Sequence, residues 1–214
     1  MRREGFLLVV SGPSGVGKGT VINAVLAGHP EVEKSISVTT RDPRPGERDG
    51  EDYIFVSPSE FRDMIDAGEF LEYAQVHQNL WYGTPREPVQ AALDDGRDIV
   101  LEIDYQGARS VRSQLGSRAV LVFIAPPSWS ELISRLEGRD TESEQATQKR
   151  LDSARREFAA MGMYEYIIVN DDLDEAVTRL QAVLKTERQR TTRNDWQRLR
   201  HKLLTEASGE HEYE

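Results

Sequence analysis

The chain has 214 residues, no cysteine, and a formal net charge of −10 from 27 Lys and Arg against 37 Asp and Glu. That length suits one domain with an insertion or two, the lack of cysteine excludes disulfides and thiolate metal sites, and the acidic balance argues against nucleic-acid binding through a global basic field. No apolar run approaches the ~20 residues of a membrane span, and the stretch after Met1-Arg2-Arg3-Glu4-Gly5 is too short for a signal-peptide core, so a cytoplasmic protein with neither nucleic acid nor membrane as partner is expected.

Phe6-Leu7-Leu8-Val9-Val10 predicts a first strand, and a helical rhythm at Val21, Ile22, Val25 and Leu26 predicts a helix over about 17–27. Between them lies Gly12-Pro13-Ser14-Gly15-Val16-Gly17-Lys18. A strand, a G-x-x-x-x-G-K run and a helix form the context in which glycines let backbone N–H groups turn inward on a polyphosphate. The helix N-terminus adds partial positive charge, and Lys18 a full one. One position departs from the usual pattern. The residue after the lysine, commonly a hydroxyl that ligates Mg²⁺, is Gly19, and Thr20 comes one later. The ion is then held mainly by phosphates and water.

Ser35-Ile36-Ser37-Val38-Thr39-Thr40 reads as extended, and two prolines and two glycines forbid a helix over Arg41 to Gly50. Tyr53 to Val56 is a short strand. Ser57-Pro58-Ser59-Glu60 is a capping box that starts a helix ending at Gly68. Phe70 to Val76 is a strand, Trp81-Tyr82-Gly83 a turn, and Thr84-Pro85-Arg86-Glu87 a second box opening a helix to Gly96. Ile99 to Ile103 and Ala119 to Ile124 are unalternating strands, with a helical stretch from Gly107 to Leu115 between them. Ser128 to Glu131 boxes a helix ending at Gly138, and another box at Thr141 to Glu144 precedes a long charged helix to about Ala160. Tyr166 to Val169 is the last strand, and Leu173 to about Arg190 a closing helix with Leu173, Val177, Leu180 and Leu184 on its apolar face.

Unalternating strands separated by helices predict an α/β fold with a parallel sheet covered on both faces. The core is expected at 1–34, 93–138 and 161–190, interrupted by an insertion at 35–92 with its own strands and by a charged helical flap at 139–160. The tail, 191–214, belongs to a stretch from Gln189 on that is rich in arginine (Arg190, Arg193, Arg198, Arg200) and turns acidic at its end. It reads as a frayed helix extension plus a disordered end, with a partner-binding stripe (Trp196, Leu199, Leu203, Leu204) as the alternative.

An acidic chain that handles phosphates must gather its arginines locally, and three groups stand out. Arg41 and Arg44 share a proline-held turn, where two guanidiniums can clamp one phosphate, with Tyr53 and Tyr82 as phenolic partners. Arg135 and Arg139 are spaced on one helix face, and Arg150 lies in the flap, from which it can close over a nucleotide and shut out water. Arg155 and Arg156 read as surface residues. Glu72 lies in an aromatic run and can accept from adjacent N–H donors, a pair that guanine offers and adenine does not. Asp104 closes a strand beside the phosphate loop, placed to act through Mg²⁺ or on substrate, and Glu102 alternates with it. The four histidines, His29, His77, His201 and His211, lie far apart with no ligand spacing.

Taken together, the loop at Ser11 to Lys18, the run Ser35 to Arg41 with Pro43-Arg44-Pro45-Gly46-Glu47, and Asp49-Gly50-Glu51-Asp52-Tyr53 closely resemble the guanylate kinases. Glu72, Tyr82-Gly83-Thr84, Ile103-Asp104-Tyr105-Gln106-Gly107, Ala125-Pro126-Pro127-Ser128, Arg135-Leu136-Glu137-Gly138-Arg139 and Val169-Asn170-Asp171-Asp172 extend the resemblance from Phe6 to about Leu184. It implies a P-loop NTPase-type parallel sheet flanked by helices, with 35–92 as a mixed α/β GMP-binding insertion and 139–160 as a helical lid. It also implies transfer of the ATP γ-phosphoryl group to GMP, giving GDP and ADP in purine nucleotide metabolism and GMP recycling. Ser14, Gly15, Val16, Gly17, Lys18, Gly19, Thr20, Arg135 and Asn170 would bind ATP. Ser37, Arg41, Arg44, Tyr53, Glu72, Tyr82, Thr84 and Asp104 would bind GMP, with Glu72, Thr84 and Ser37 at the base. Lys18, Arg41, Arg139 and Arg150 would carry the catalysis. Mg²⁺ would accompany ATP, with Thr20 or Asp104 as the side chains open to it, and dGMP would serve beside GMP in a monomer or homodimer. Asp140 stands after Arg139 where the family usually has glycine. Two rivals remain: a different phosphate acceptor on the same scaffold, and a non-catalytic phosphopeptide-binding relative, against which the intact loop and Lys18 argue.

Overall fold

Strands that are apolar on both sides cannot leave either face to water, so they stack into a sheet layered between helices. In this computed structural model, which describes residues 3–76, 80–137 and 144–207, the elements run β1 (Leu7–Ser11), α1 (Lys18–Gly28), β2 (Val32–Lys34), β3 (Val38–Thr39), β4 (Ile54–Phe55), α2 (Pro58–Asp66), β5 (Phe70–Val76), β6 (Leu80–Pro85), α3 (Arg86–Asp94), β7 (Asp98–Glu102), α4 (Tyr105–Leu115), β8 (Ala119–Ala125), α5 (Trp129–Glu137), α6 (Glu144–Ala159), β9 (Tyr166–Val169), α7 (Leu173–Arg188) and α8 (Trp196–Ala207). The predicted parallel sheet has the order β2-β7-β1-β8-β9, with every neighbouring pair parallel.

Alternate residues of β1 feed opposite layers. Leu8 and Val10 pack with Val21, Ile22, Leu180 and Leu184 of α1 and α7. Leu7 and Val9 pack with Val89, Leu93, Ala108 and Val111 of α3 and α4. These positions are essentially without solvent exposure, and truncating one buried leucine here to alanine costs about 2–5 kcal/mol. The consequence for function is a rigid central strand whose carboxyl end opens into the glycine loop, flanked by the ends of β7 and β8.

The insertion folds on a second sheet, β4-β3-β6-β5, with β3–β4 parallel and the other pairs antiparallel. Its own small core joins Val38, Phe61 and Phe70 with Trp81 packed against them. The capping box of α2 is complete: Glu60 N donates to Ser57 Oγ at 3.2 Å, and Ser57 N to Glu60 Oε2 at 2.8 Å. Helix α4 ties the two sheets together, because Ser110 Oγ donates to the Leu71 carbonyl of β5 at 3.0 Å and Gln114 donates to the same oxygen. Helix α3 starts inside 35–92, runs to Asp94, and buries Val89, Ala92 and Leu93 against the parallel sheet.

Several expectations fail for identifiable reasons. Trp81-Tyr82-Gly83 is not a turn but the middle of β6, paired with β5 from Leu80 to Pro85. Its glycine marks a close approach, since a Cβ there would lie 2.8 Å from the Phe70 ring. Thr84 therefore does not cap α3. It sits in the strand, fully buried, and the cap residue of α3 is Pro85, without a side-chain bond. Strand β2 was not expected, being an edge strand with a single buried residue, Val32. The run Ser35 to Thr40 contributes only Val38–Thr39 as strand. At the other end Leu173 is 40% exposed, outside the buried face of α7. The box at Thr141 lies outside the described residues, as do Gly138, Arg139, His77 and His211.

The tail is also not a simple frayed extension. A 3-10 turn at Thr191–Arg193 folds back on the core, and Arg193 is 4% exposed. Its Nη2 donates to Glu187 at 2.9 Å and to the Ser117 carbonyl at 3.0 Å, and its guanidinium lies 4.6 Å from the Phe6 ring centre. Only then does α8 begin, with Trp196, Leu199, Leu203 and Leu204 about half exposed.

Candidate active site

The glycine loop is shaped by contacts that leave no room for side chains. Gly12 has φ +142° and a Cβ there would lie 2.2 Å from the Ile124 carbonyl. Gly17 has φ +91° and a Cβ there would lie 2.6 Å from Asn170 Nδ2. Both positions demand glycine on conformational and steric grounds. Helix α1 starts at Lys18, so the loop's amides and the helix N-terminus face the same space. Lys18 Nζ reaches back to the Gly12 carbonyl at 2.6 Å and the Pro13 carbonyl at 3.3 Å, with Glu102 3.9 Å away. Within the predicted cradle Val16 differs from its neighbours: its side chain is buried and its N–H donates to the Pro13 carbonyl at 3.3 Å.

Asn170, at the end of β9, braces this loop. Its Nδ2 donates to the Val16 carbonyl at 2.7 Å, and Arg135 Nη1 donates to the Asn170 carbonyl at 3.2 Å. Arg135 is also held by Glu131 at 2.8 Å. Above the loop, α5 and α6 pack through Leu132, Leu136 and Ala154. That packing carries Arg150 over the cradle, where its Nη1 donates to Ser14 Oγ at 3.2 Å.

The insertion supplies a second set of groups. The antiparallel register of β5 and β6 sets Glu72 opposite Thr84, and Thr84 Oγ1 donates to Glu72 Oε1 at 2.5 Å. Glu72 is 8% exposed. Burial, chiefly, and the nearby Asp104 charge push its carboxyl above the ordinary 4.5, while the Thr84 hydroxyl opposes the shift. Gly107 makes the space for it, since a Cβ there would lie 2.9 Å from Glu72 Oε2. Asp104 is the N-cap of α4, its Oδ1 accepting from Gln106 N and Gly107 N at 2.9 Å each.

Arg41 lies over the Tyr53 ring at 5.3 Å, donates from Nε to Tyr82 Oη at 3.2 Å, and pairs through both Nη atoms with Glu47 at 2.9 Å. The Arg44 side chain beside it is exposed.

Between loop and insertion lies a cleft of about 590 Å³, bounded by Ser14 and Lys18 on one side and Ser37 and Tyr53 on the other, with Glu102 and Asp104 at its base. A neighbouring cavity of about 620 Å³ runs from Ser14 under Arg150 and Arg156 of α6. Arg156 is exposed, as its reading as a surface residue expects, and it also lines the space above the loop. Glu72, Thr84 and the Arg41–Arg44 turn lie in the insertion without lining the cleft itself, and Arg139 falls outside the described residues.

Two groups went unread. Glu47, three residues beyond Arg44, pairs with Arg41, and that spacing is its only signal in the sequence. Glu157, in the charged flap, is 7% exposed and lines both cavities. Burial, chiefly, raises its carboxyl above the ordinary 4.5, and the Lys18 charge opposes that shift. A long charged helix gives no signal of which carboxylate turns inward.

The acids near Lys18 bear on whether a divalent ion could accompany a polyphosphate held by the loop. Among the described residues no three acidic or histidine side chains gather as a metal cluster. Instead, a Cβ at Gly19 would lie 3.6 Å from Glu102 Oε2, so nothing stands between that carboxylate and the loop. Hard oxygen donors reaching the loop from one side suit an ion that keeps most of its waters. No helix among the described residues is long and apolar enough to cross a membrane.

Comparison with known proteins agrees with this geometry. The family model described as guanylate kinase matches residues 4–187. A guanylate kinase of Deinococcus radiodurans is 53% identical over 185 residues, covering 86% of this chain and 77% of that protein. One from Corynebacterium efficiens is 47% identical over 182 residues, covering 85% and 95%. A crystal structure of guanylate kinase from Anaplasma phagocytophilum superposes with a TM-score of 0.76 at 36% identity, covering 95% of each chain. With the glycine loop, the two-sheet layout and these likenesses in hand, the chain belongs to the guanylate kinase family.

Proposed function

We propose that this kinase aligns ATP and GMP across the cleft between the glycine loop and the insertion, and that the residues described above divide the work as follows. The observation that carries this reading is the cleft bounded by Ser14 and Lys18 on one side and by Ser37 and Tyr53 on the other. A cleft lined from both sides in this way supports a site for two nucleotides. Ser14 to Thr20 hold the ATP phosphates through backbone amides, Ser14 Oγ and Lys18, with Val16 contributing through the loop's shape. Arg135 and Asn170 keep that loop in place beneath the adenosine. Arg41, Arg44, Tyr53 and Tyr82 receive the GMP phosphate. Glu72 and Thr84, with Ser37, read guanine, because an ionised carboxylate accepts from N1–H and the 2-amino group together. Adenine would leave the same buried oxygens unmatched.

The attacking phosphate oxygen of GMP is already ionised near neutral pH, so no general base is needed. Catalysis is then alignment and charge compensation. Lys18 compensates the charge that grows between the transferred and the leaving phosphate, and Arg150, with Arg139 of the lid, closes over it and excludes water. Mg²⁺ would be held with ATP mainly by phosphates and water, with Thr20, Asp104 and Glu102 as candidate oxygen donors, and would supply neutralisation of phosphate charge. dGMP is an acceptor by the same base and phosphate contacts. The protein works in the cytoplasm as a monomer or homodimer.

A coupled ADP-release assay across GMP, dGMP, AMP and UMP tests the reading. GMP and dGMP should turn over, and AMP should be slower in kcat/KM by about 10²-fold or more. Equal turnover of AMP would remove the role given to Glu72 and Thr84.

A further inference from the structure

Arg41 does not offer a free fork. Of its five N–H donors, one from Nε goes to Tyr82 Oη at 3.2 Å, two from Nη1 go to the Asp42 carbonyl at 2.7 Å and Glu47 Oε2 at 2.9 Å, and one from Nη2 goes to Glu47 Oε1 at 2.9 Å. A single Nη2–H remains. The guanidinium is further seated on Tyr53 and Phe55, 5.3 and 5.8 Å from the ring centres. Glu47 does more than pair with it. Its Oε2 also accepts from Arg44 N at 2.8 Å, and its own N–H closes the turn on the Arg44 carbonyl at 3.0 Å. One carboxylate therefore holds the side chain of the first arginine and the backbone of the second.

We propose that Glu47 is a positioning residue of the acceptor-phosphate clamp, fixing Arg41 and Arg44 so that the phosphate is gripped by the Arg44 guanidinium and by the remaining Nη2–H of Arg41. The inference rests on the reading that these arginines receive the GMP phosphate. Two effects of Glu47 oppose each other. Its negative charge lies close to an incoming anion, which disfavours binding. It also removes the disorder of a loop arginine in advance and keeps the turn closed, which favours binding. The second effect wins here because the pairing is bidentate, the guanidinium is already stacked, and the turn amide is held as well. Loss of Glu47 would give back one charge and release three constraints. Glu47 itself is held below the ordinary carboxylate range, first by Arg41 and next by the Arg44 amide, so it stays ionised throughout the pH range of the assay.

Steady-state kinetics of Glu47→Ala, Glu47→Gln and Glu47→Asp test this on the full chain, with both substrates varied. Glu47→Ala should raise KM for GMP by about tenfold while kcat stays within about twofold and KM for ATP is unchanged. Glu47→Asp, which keeps the charge on a shorter stem, should recover part of the loss. In an Arg41→Ala background the Glu47→Ala effect on KM should shrink well below its size in the native chain, leaving only the part that acts through the Arg44 turn. A lowered or unchanged KM for GMP in Glu47→Ala overturns the proposal, as do effects of Glu47 and Arg41 that simply multiply. A parallel rise in KM for ATP would show general damage to the fold and also count against it. Arg41→Ala and Arg44→Ala on their own separate the two levels of failure. If neither raises KM for GMP, the clamp reading itself is wrong. If both do and the Glu47 variants do not, the positioning role alone falls.

Discussion

The five-stranded sheet and the four-stranded sheet leave different things for a ligand. At the end of β1 the parallel sheet presents backbone: a loop whose glycines are required by close contact with Ile124 and Asn170, one lysine, and a helix start. The insertion sheet presents side chains whose meeting depends on register. Glu72 reaches Thr84 because β5 and β6 pair with those residues opposite one another, and a slip of one residue would turn them to opposite faces. Phosphate is common to all nucleotides and can be held by amides that any sequence possesses. A base has to be told from other bases, and that needs particular side chains. On the proposed division of labour, the economy of the loop and the specific chemistry of the insertion follow from what each has to recognise.

The sharpest way to break that contrast is at its one charged member on the loop side. Lys18→Ala should lower kcat by roughly 10³–10⁵-fold, about 4–7 kcal/mol of transition-state stabilisation, with KM for GMP little changed. Single-turnover kinetics would check it. Near-normal turnover would mean that amides alone suffice and that the lysine is not where the charge develops.

A control for both sheets lies at the opposite edge of the molecule. Glu187 and Arg193 form a pair with side chains 0% and 3% exposed, and Tyr166 Oη donates to Glu187 at 2.6 Å. Arg193→Ala leaves the buried Glu187 carboxylate with only Tyr166 Oη and the half-exposed Arg190, 3.3 Å away, as partners, and should destabilise the fold by about 3 kcal/mol in denaturant unfolding. Both KM values of the folded protein should stay unchanged. A shift in KM for GMP would show that the tail reaches the insertion after all.

On the insertion side, Glu72→Gln keeps shape but replaces one acceptor oxygen with a donor facing guanine's own N–H groups. Its kcat/KM for GMP should fall about 10²-fold, with KM for ATP unaffected. Thr84→Val should cost about tenfold, since it removes the hydroxyl that orients the carboxylate and leaves the charge in place.

Much of this was legible in the residues, for physical reasons that also mark where legibility stops. The core strands announce themselves because both faces are buried, so β1 and β8 are apolar without interruption. The edge strand β2 has one buried residue and gives no such signal. Gly83 suggested a turn because a glycine is read by its backbone freedom, whereas here it serves to let Phe70 approach. Thr84 imitated a helix cap because its hydroxyl has two possible uses and only the sheet register decides between them. Arg193 looked like one of several tail arginines, since charge alone does not reveal that Phe6 and Glu187 await it. The cradle at Lys18 was readable from local pattern. Glu157 was not, because its burial depends on how α6 lies over the loop.

The smallest effect sharpens the comparison most, because it moves two observables in opposite directions. The Glu72 carboxyl titrates above its ordinary 4.5 in the folded chain, burial being the main cause. On the proposed reading the ionised form holds guanine, so as pH falls through that raised value KM for GMP should climb, at one power of ten per pH unit once the group is mostly protonated. Stability runs the other way. A carboxyl whose folded value is raised contributes most below its unfolded value of about 4.5, and that contribution is lost as pH rises through the folded value. Lowering pH from neutral should therefore weaken GMP binding while this group's share of stability increases. The GMP phosphate also titrates, near 6 for a typical phosphate monoester, and Glu157 is raised for similar reasons, so the measurement is the difference between the native chain and Glu72→Gln across pH 5–8. The variant should lose the Glu72 component of both curves and keep the rest. If the two proteins show parallel KM profiles, the carboxylate is not read by the acceptor, and the division between a backbone site and a side-chain site has been drawn in the wrong place.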